Sequence, residues 1–446
     1  MSNKSTRAMS QKDNEKRALA PRLRFPEFRR EWASSPMSKV YFFKGNNSLS
    51  RDKLNYEVGS LRNIHYGDIH TKFAQHFRVD SESVPFINDG ESHSAIRPEN
   101  YCAPGDIVFA DASEDVADIG KAIEIIDTGD VPLVSGLHTI LAKPNGVSFA
   151  LGFGAYLFSS DSVRTQIQRE AQGAKVLGLS ANRLGNVLLH YPSETDEQQK
   201  IADCLSSLDE LIAAEIKRLD TLKAHRKGLM QQLFPREGET VPRLRFPEFQ
   251  GDEGWKEYPV SAMLEEVLRP VKMDDDEDYT LVTVKRRYGG IVLREFLRGR
   301  NILVKSQFRI RKNDFLISKR QIVHCACGLV PEDYDGAIVS NEYTILKSRK
   351  NCDIGFFSYF SQQPIVSRSF LECSDGIVIE KMLFKPEQWL KKTFLFPGLQ
   401  EQKKIAGCLS SLDELIAAND QNIETLKIHK NGLMRQLFPV PDEVQK

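Results

Sequence analysis

Two stretches of this chain carry a helical hydrophobic period, and the two that precede them do not. From Ile201 to Leu233 apolar residues recur at alternating spacings of four and three: Ile201, Leu205, Leu208, Ile212, Leu219, Leu222, Leu229 and Leu233, with Glu215 and Arg226 at the polar interruptions. The series returns at Ile405, Leu409, Leu412, Ile416, Ile423, Leu426, Leu433 and Leu437, interrupted by Asn419 and Lys430. Such a heptad seam predicts a long amphipathic helix, and Pro235 and Pro439 stop each one. About 37 residues at ~1.5 Å each give a rod of roughly 55 Å, whose stripe must be covered. Between these segments, roughly over 33–195 and 256–398, runs such as IGKAIEII and YTLVTV are punctuated by AsnGly, AspGly and GlyGly. These predict short strands and hairpins with a few helices, hence an α+β fold class.

The periodic segments are copies of each other. Glu197–Pro235 and Glu401–Pro439 are identical at 27 of 39 positions with a constant offset of 204, and PRLRFPEF at Pro21–Phe28 returns at Pro242–Phe249. Trp32 and Trp255 follow the two octapeptides. The regions between share faint echoes: HisTyrGly at His65–Gly67 against ArgTyrGly at Arg287–Gly289, and ValSer followed by ThrIleLeu in both. The economical reading is one fold used twice with two divergent surfaces.

Each rod needs a cover, and the other copy is the obvious one. Antiparallel pairing with residue numbers adding to 645 would set Glu215 against Lys430 and Arg226 against Asn419, with Leu219 facing Leu426 and Leu222 facing Ile423. That register spares the polar interruptions an unpaired burial. The alternative is that each stripe packs on its own variable region. Two like domains joined by antiparallel copies of one helix make a pseudo-twofold object. Symmetric DNA readers meet half-sites about one helical turn apart, so two unlike domains predict a bipartite, asymmetric site.

Composition narrows the class. The 446 residues allow two to four domains. The longest mostly apolar stretch, Val147–Phe158, is far short of the ~20 residues that span a bilayer. The first twenty residues are polar and basic, and seven scattered cysteines do not look like a disulfide framework, so a cytoplasmic protein is expected. With 61 basic and 61 acidic residues, a polyanion must be met by local patches.

Lys285–Arg320 holds twelve Lys or Arg against two acids. In the second half the candidate DNA contacts are Lys285, Arg286, Arg287, Arg294, Lys319, Arg320 and Gln321, since such residues neutralise phosphates and can fork onto guanine. In the first half Asp106–Asp130, with eight acids against one lysine, should face away from DNA. Arg51, Lys53, Arg62, Asn63, His65, Lys72 and Arg78 form the more suitable edge, with Tyr66 expected in the core. The tail Lys4–Arg30 is basic and could be a DNA arm or a solubilising segment. Catalytic signatures are missing: there is no ProPro dipeptide for an adenine methyltransferase motif and no GxxxxGK[ST] phosphate loop. His324, Cys325 and Cys327 make a poor tetrahedral zinc set, and no metal site is expected.

The LRFPEF openers at Leu23 and Leu244, the EQxKIA helix starts at Glu197 and Glu401, the GLMxQLFP ends and IHYGDIH at Ile64–His70 together resemble the specificity subunit of a type I restriction-modification system. The resemblance covers the chain beyond about residue 20. It implies a flexible tail (1–20), a first target recognition domain (21–195), a spacer helix (196–235), a second recognition domain (236–398), a second spacer helix (399–439) and a short tail (440–446). It further implies a non-catalytic subunit that binds double-stranded DNA and docks two methyltransferase subunits together with restriction subunits. S-adenosylmethionine, ATP and Mg2+ would then belong to those partners and no cofactor to this chain. The competing reading is a coiled-coil scaffold or decoy that binds the methyltransferase subunit without reading DNA.

Overall fold

The computed structural model describes residues 21–90, 96–147 and 149–439, so the tails expected at 1–20 and 440–446 lie outside the described residues. The chain divides into two compact units, and the division falls inside both long helices. One unit comprises residues up to Glu215 together with those from Asn422 on; the other runs from Ile216 to Gln421. Among the described residues no helix is long and apolar enough to cross a membrane.

In the first unit, β1 (Trp32–Pro36) pairs antiparallel with β13 (Leu188–Pro192). A four-stranded sheet is built from β3 (Leu54–Asn55), β4 (Arg62–Ile64), β6 (Phe86–Ile87) and β10 (Leu133–Ser135) in the order β10-β4-β6-β3. A five-stranded sheet has the order β2-β11-β7-β9-β5, from β2 (Tyr41–Lys44), β5 (His76–Arg78), β7 (Ile107–Ala110), β9 (Ala122–Asp127) and β11 (Thr139–Pro144). Helices α1 (Tyr66–Thr71), α2 (Phe153–Ser159) and α3 (Asp161–Glu170) complete it, with the small pair β8 (Ala112–Ser113) and β12 (Leu177–Gly178). The long helix α4 covers Thr195–Gln232.

The second unit repeats this frame. Strands β14 (Lys256–Pro259) and β26 (Thr393–Phe396) pair as β1 and β13 do. A four-stranded sheet of order β15-β23-β20-β21 uses β15 (Leu264–Glu266), β20 (Phe315–Ser318), β21 (Cys327–Leu329) and β23 (Tyr343–Ser348). A five-stranded sheet of order β16-β19-β22-β17-β18 uses β16 (Pro270–Val271), β17 (Asp278–Val284), β18 (Ile291–Arg298), β19 (Gln307–Arg309) and β22 (Ile338–Ser340). The parallel contact β10–β4 of the first unit has its counterpart in β22–β17. Helices α5 (Ile354–Phe360) and α6 (Pro364–Glu372), the pair β24 (Ser374–Asp375) and β25 (Leu383–Phe384), and the long helix α7 (Leu399–Leu437) follow.

The octapeptide explains itself once folded. Arg24 forks onto Glu197 in the first turns of α4, Nε and Nη2 each donating at 2.7 Å, and the Trp32 indole adds a bond at 3.3 Å. In the other unit Arg245 forks onto Glu401 at 2.9 Å twice, with Trp255 donating at 3.4 Å. A carboxylate near a helix N-terminus is favoured by the helix dipole, and the guanidinium completes its shell. Glu197 and Glu401 are buried, so each pair fixes the start of its helix against its own domain. The neighbouring Gln198 and Gln402 donate to the carbonyls of Pro192 and Pro397, closing the strand that feeds each helix.

Both covers foreseen for the apolar stripes are used. Ile201 and Leu205 enter the first unit's core with Leu437 and Phe438, while Ile405 and Leu409 enter the second unit's core with Leu233 and Phe234. The helix halves within each unit run antiparallel, but the register of 645 does not hold. Lys430 pairs with Asp209, not with Glu215, and Arg226 pairs with Asp413, not with Asn419. Both pairs add to 639, and the offset of 204 makes them equivalent. The cause lies off the seam. Asp209 also accepts from the Tyr156 hydroxyl at 2.8 Å and Asp413 from Tyr359 at 2.9 Å, so the acid that draws each cation is itself held by the domain. Lys430 lies 5.3 Å above the Tyr156 ring and Arg226 5.9 Å above Tyr359, which adds a cation–π contact to each.

Candidate nucleic-acid interface

In the second unit, β17 ends in a tight turn in which Arg287 and Tyr288 adopt φ of +58° and +56° and Gly290 +79°. Two bulky residues in the left-handed region need support. The backbone N–H groups of Arg287 and Tyr288 donate to the carbonyls of His324 and Cys325 at 2.8 and 2.9 Å, and the Tyr288 hydroxyl reaches the Ser361 carbonyl at 3.0 Å. Burial pushes that hydroxyl's pKa up, as suits a tethered phenol. The turn is thereby stitched to the segment after β20. There Arg286 Nε donates to Gln321 at 2.8 Å, Lys319 Nζ to the Asn341 carbonyl at 2.9 Å and Arg320 Nε to Glu342 at 2.6 Å. Lys285, Arg286, Arg287, Lys319, Arg320 and Gln321 therefore belong to one loop cluster. Arg294 does not: it is the extra residue of a bulge in β18, where Leu281 pairs with Glu295 and Val282 with Leu293.

The basic run is weaker in space than in sequence. Arg298, Arg300 and Lys305 pair with Asp278, Asp276 and Asp275, while Arg311 and Lys312 pair with Asp335 and Glu332. Acids outside the run thus neutralise its middle. Among the described residues no acid pairs with Lys285, Arg287 or Arg294.

The first unit builds the same place from different residues. His65 caps α1, its Nδ1 accepting from Gly67 N at 3.1 Å, and burial together with the Arg51 charge lowers its pKa, which keeps that nitrogen free to accept. Arg51 forks onto Asp68 at 2.7 and 2.9 Å, and Lys72 joins at 3.1 Å. Burial alone would raise the Asp68 carboxyl, but the bonds from Arg51 and Lys72 outweigh it and hold the pKa low. The Tyr66 ring lies between His65 (4.7 Å), His138 (5.2 Å) and His70 (6.1 Å). It is half-buried, neither wholly core nor free.

Two candidates of the first half are corrected. Asn63 is 0% exposed and accepts from Asn47 at 2.6 Å, and His65 is 7% exposed, so neither offers a face to a duplex. Asn63 lies inside β4 and His65 just after it as the cap of α1, so packing turns both away from solvent, with the Asn63 Nδ2 buried without a hydrogen-bond partner among the described residues. Arg62 is half-buried with its guanidinium 4.7 Å above the Phe86 ring. Lys53 is exposed beside Arg51, whereas Arg78 is on β5, at the edge of the other sheet.

The acidic stretch also differs from expectation, because it is not one face. Asp106 turns inward to Lys143 at 2.5 Å. Glu124 is 2% exposed and accepts from Gly152 N and Ala155 N at the start of α2; burial raises its pKa to about 7 against the pull of those two bonds. Asp111 points the other way and meets His138 at 3.2 Å beside Tyr66. Cys327 is buried with its thiol pKa pushed up by burial, a packing role.

The frame is common although the side chains are not. In the second unit the Lys319 carbonyl accepts from Phe384 N, and Lys319 N donates to the Glu342 carbonyl. In the first, the Asp111 carbonyl accepts from Leu179 N, and Asp111 N donates to the His138 carbonyl. Asp111 thus occupies the place of Lys319, and His138 that of Glu342. Sequence reasoning found neither Asp111 nor His138; their signal was the ValSer and ThrIleLeu echo that frames the turn.

These features define a class of protein: one α/β frame present twice, each copy displaying its own side chains on equivalent loops and anchored to halves of two long helices. No family model matches the chain. The specificity subunit named for the type I restriction enzyme MjaX of Methanocaldococcus jannaschii is 24% identical over 400 residues, 87% of this chain and 88% of the relative. The S subunit of the type I restriction-modification system of M. genitalium superposes with a TM-score of 0.54 at 13% identity, covering 94% of this chain and 99% of that one. A chain from a structure of type I system assembly and conformational transition gives a TM-score of 0.51 at 12% identity, over 91% and 97%. The fold is that of these S subunits, as the resemblance of the LRFPEF and EQxKIA segments implied.

Proposed function

We propose that this chain is the DNA sequence-recognition subunit of a type I restriction-modification complex, each domain reading one half of a bipartite, asymmetric duplex site. The observation that carries the reading is the equivalence of Lys319 with Asp111 and of Glu342 with His138: one frame holds different donors and acceptors at the same loop positions. Arg and Lys donate to guanine edges, while carboxylates accept from cytosine amino groups, so the two domains ask for different bases. Lys285, Arg287 and Lys319 supply phosphate and base contacts in the second domain, and in the first Lys53 does so with the Arg51–Asp68–Lys72 group, whose two cations exceed its one carboxylate. The subunit performs no chemistry itself. Modification partners transfer methyl groups from S-adenosylmethionine, and restriction partners cleave with ATP and Mg2+. A gel-shift titration of the complex with modification subunits at several salt concentrations tests this. Specific binding that weakens steeply with salt supports it, and absent or salt-independent binding refutes it.

A further inference from the structure

Both domains carry a loop that the contacts above leave without a role. After α6 the chain turns at Gly376 (φ +146°) and presents Ile377, Val378 and Ile379 at 104%, 53% and 54% exposure before returning in β25. After α3 it turns at Gly173 (φ +129°) and presents Val176 at 52% exposure before β12. Only glycine fits these turns: a Cβ at Gly173 would lie 2.1 Å from the Val176 carbonyl oxygen, and one at Gly376 3.0 Å from Met382 Cα. Three consecutive β-branched side chains in water are costly to keep unless something covers them.

Position says what covers them. The returning strand β25 is bonded to the Lys319 carbonyl through Phe384 N, and the segment after β12 is bonded to the Asp111 carbonyl through Leu179 N. In both domains the loop that carries the apolar tip is therefore bonded at its base to the residue that the proposed base-reading cluster uses. Charges of both signs stand at the second tip's base: Lys381 is at its return, and Lys385 just beyond β25 pairs with Asp375 at 3.6 Å. A solvent-facing aliphatic tip on a hairpin bonded to the Lys319 segment, with Lys381 at its return, matches a duplex, in which phosphates flank base edges and thymine methyl groups.

We infer that the glycine-opened tips, Ile377–Ile379 in the second domain and Val176 in the first, are apolar DNA-contact elements that help to determine sequence preference. The inference rests on the proposed function. Ile377 and its neighbours lie against base edges of the half-site, where they favour thymine methyl groups and exclude water from adjacent Lys and Arg contacts. They add affinity without displacing counterions.

The test uses the full chain in complex with modification subunits, on a target duplex and on a scrambled duplex of equal length. Ile377→Ser/Val378→Ser/Ile379→Ser, and separately Ile377→Ser, should weaken target binding by about tenfold and a few-fold respectively, with the salt slope and scrambled-duplex binding unchanged. Replacing thymine by uracil in the corresponding half-site should reproduce part of the loss in the wild type and none in the triple variant. Unchanged target affinity in the triple variant overturns the inference, as does a loss of modification-subunit binding without DNA, which would make the tip a protein-docking surface. A wild-type complex that does not distinguish the two duplexes refutes the proposed function instead.

Discussion

Arg245 and Glu401 meet as a forked pair, two N–H groups donating at 2.9 Å, with side chains only 7% and 3% exposed. The equivalent Arg24–Glu197 pair has the same geometry, but its arginine is 20% exposed. Removing one partner of a buried pair strands the other charge, at a cost of about 3–5 kcal/mol. Arg245→Ala should lower stability by that amount in urea unfolding followed by tryptophan fluorescence. Arg24→Ala should cost less, since water reaches the site. Equal or negligible losses would remove the clamp from the account.

The helix register makes a second prediction. In a double-mutant cycle, Lys430→Ala and Asp209→Ala should show a coupling of about 0.5–1 kcal/mol, because the pair is partly exposed and solvent screens it. Lys430→Ala with Glu215→Ala should show essentially none. Reversal of those outcomes would restore the register of 645.

The misplaced register shows how much the sequence could tell. Duplicated helices, repeated openers and α+β domains were legible because a long period and a 39-residue repeat leave few alternatives. Which polar seam residues meet was not, since Asp209 and Asp413 are held by Tyr156 and Tyr359 from segments far along the chain. The DNA candidates suffered likewise. Nothing in Lys285–Arg320 reveals that Asp275, Asp276, Asp278, Glu332 and Asp335 return to neutralise its middle. Asn63 and His65 looked polar and available, but a three-residue strand followed directly by a helix cap takes both inside.

Charge neutralisation separates the cations functionally. Lys285→Ala with Arg287→Asn, the asparagine tolerating the left-handed backbone at 287, should weaken DNA binding and reduce the salt slope by about 1 to 2. Lys305→Ala, which removes a cation already paired with Asp275, should leave both nearly unchanged. Equal effects of the two variants would mean that the basic run acts as a whole, contrary to its pairing.

Glu124 predicts a pH dependence. Its folded pKa of about 7 lies above the ordinary 4.5, so the fold favours the protonated form. The associated stability is fully present below about pH 4.5 and is lost as pH rises through about 7, by at most ~3 kcal/mol. Urea midpoints of the wild type should therefore fall between pH 5 and pH 8, and Glu124→Gln should abolish this contribution. An identical pH profile in the variant would show that the two helix N–H bonds hold the carboxylate charged throughout.

The central claim is that two like domains read unlike halves of one site. Mapping methylated bases genome-wide, in a host carrying this chain with its modification partner, tests it most directly. The wild type should yield one interrupted, asymmetric motif. A chain in which residues 255–398 are replaced by the equivalent 32–194 should yield a motif whose two halves are the same. A continuous motif in the wild type, or one that the replacement leaves unaltered, would contradict the account.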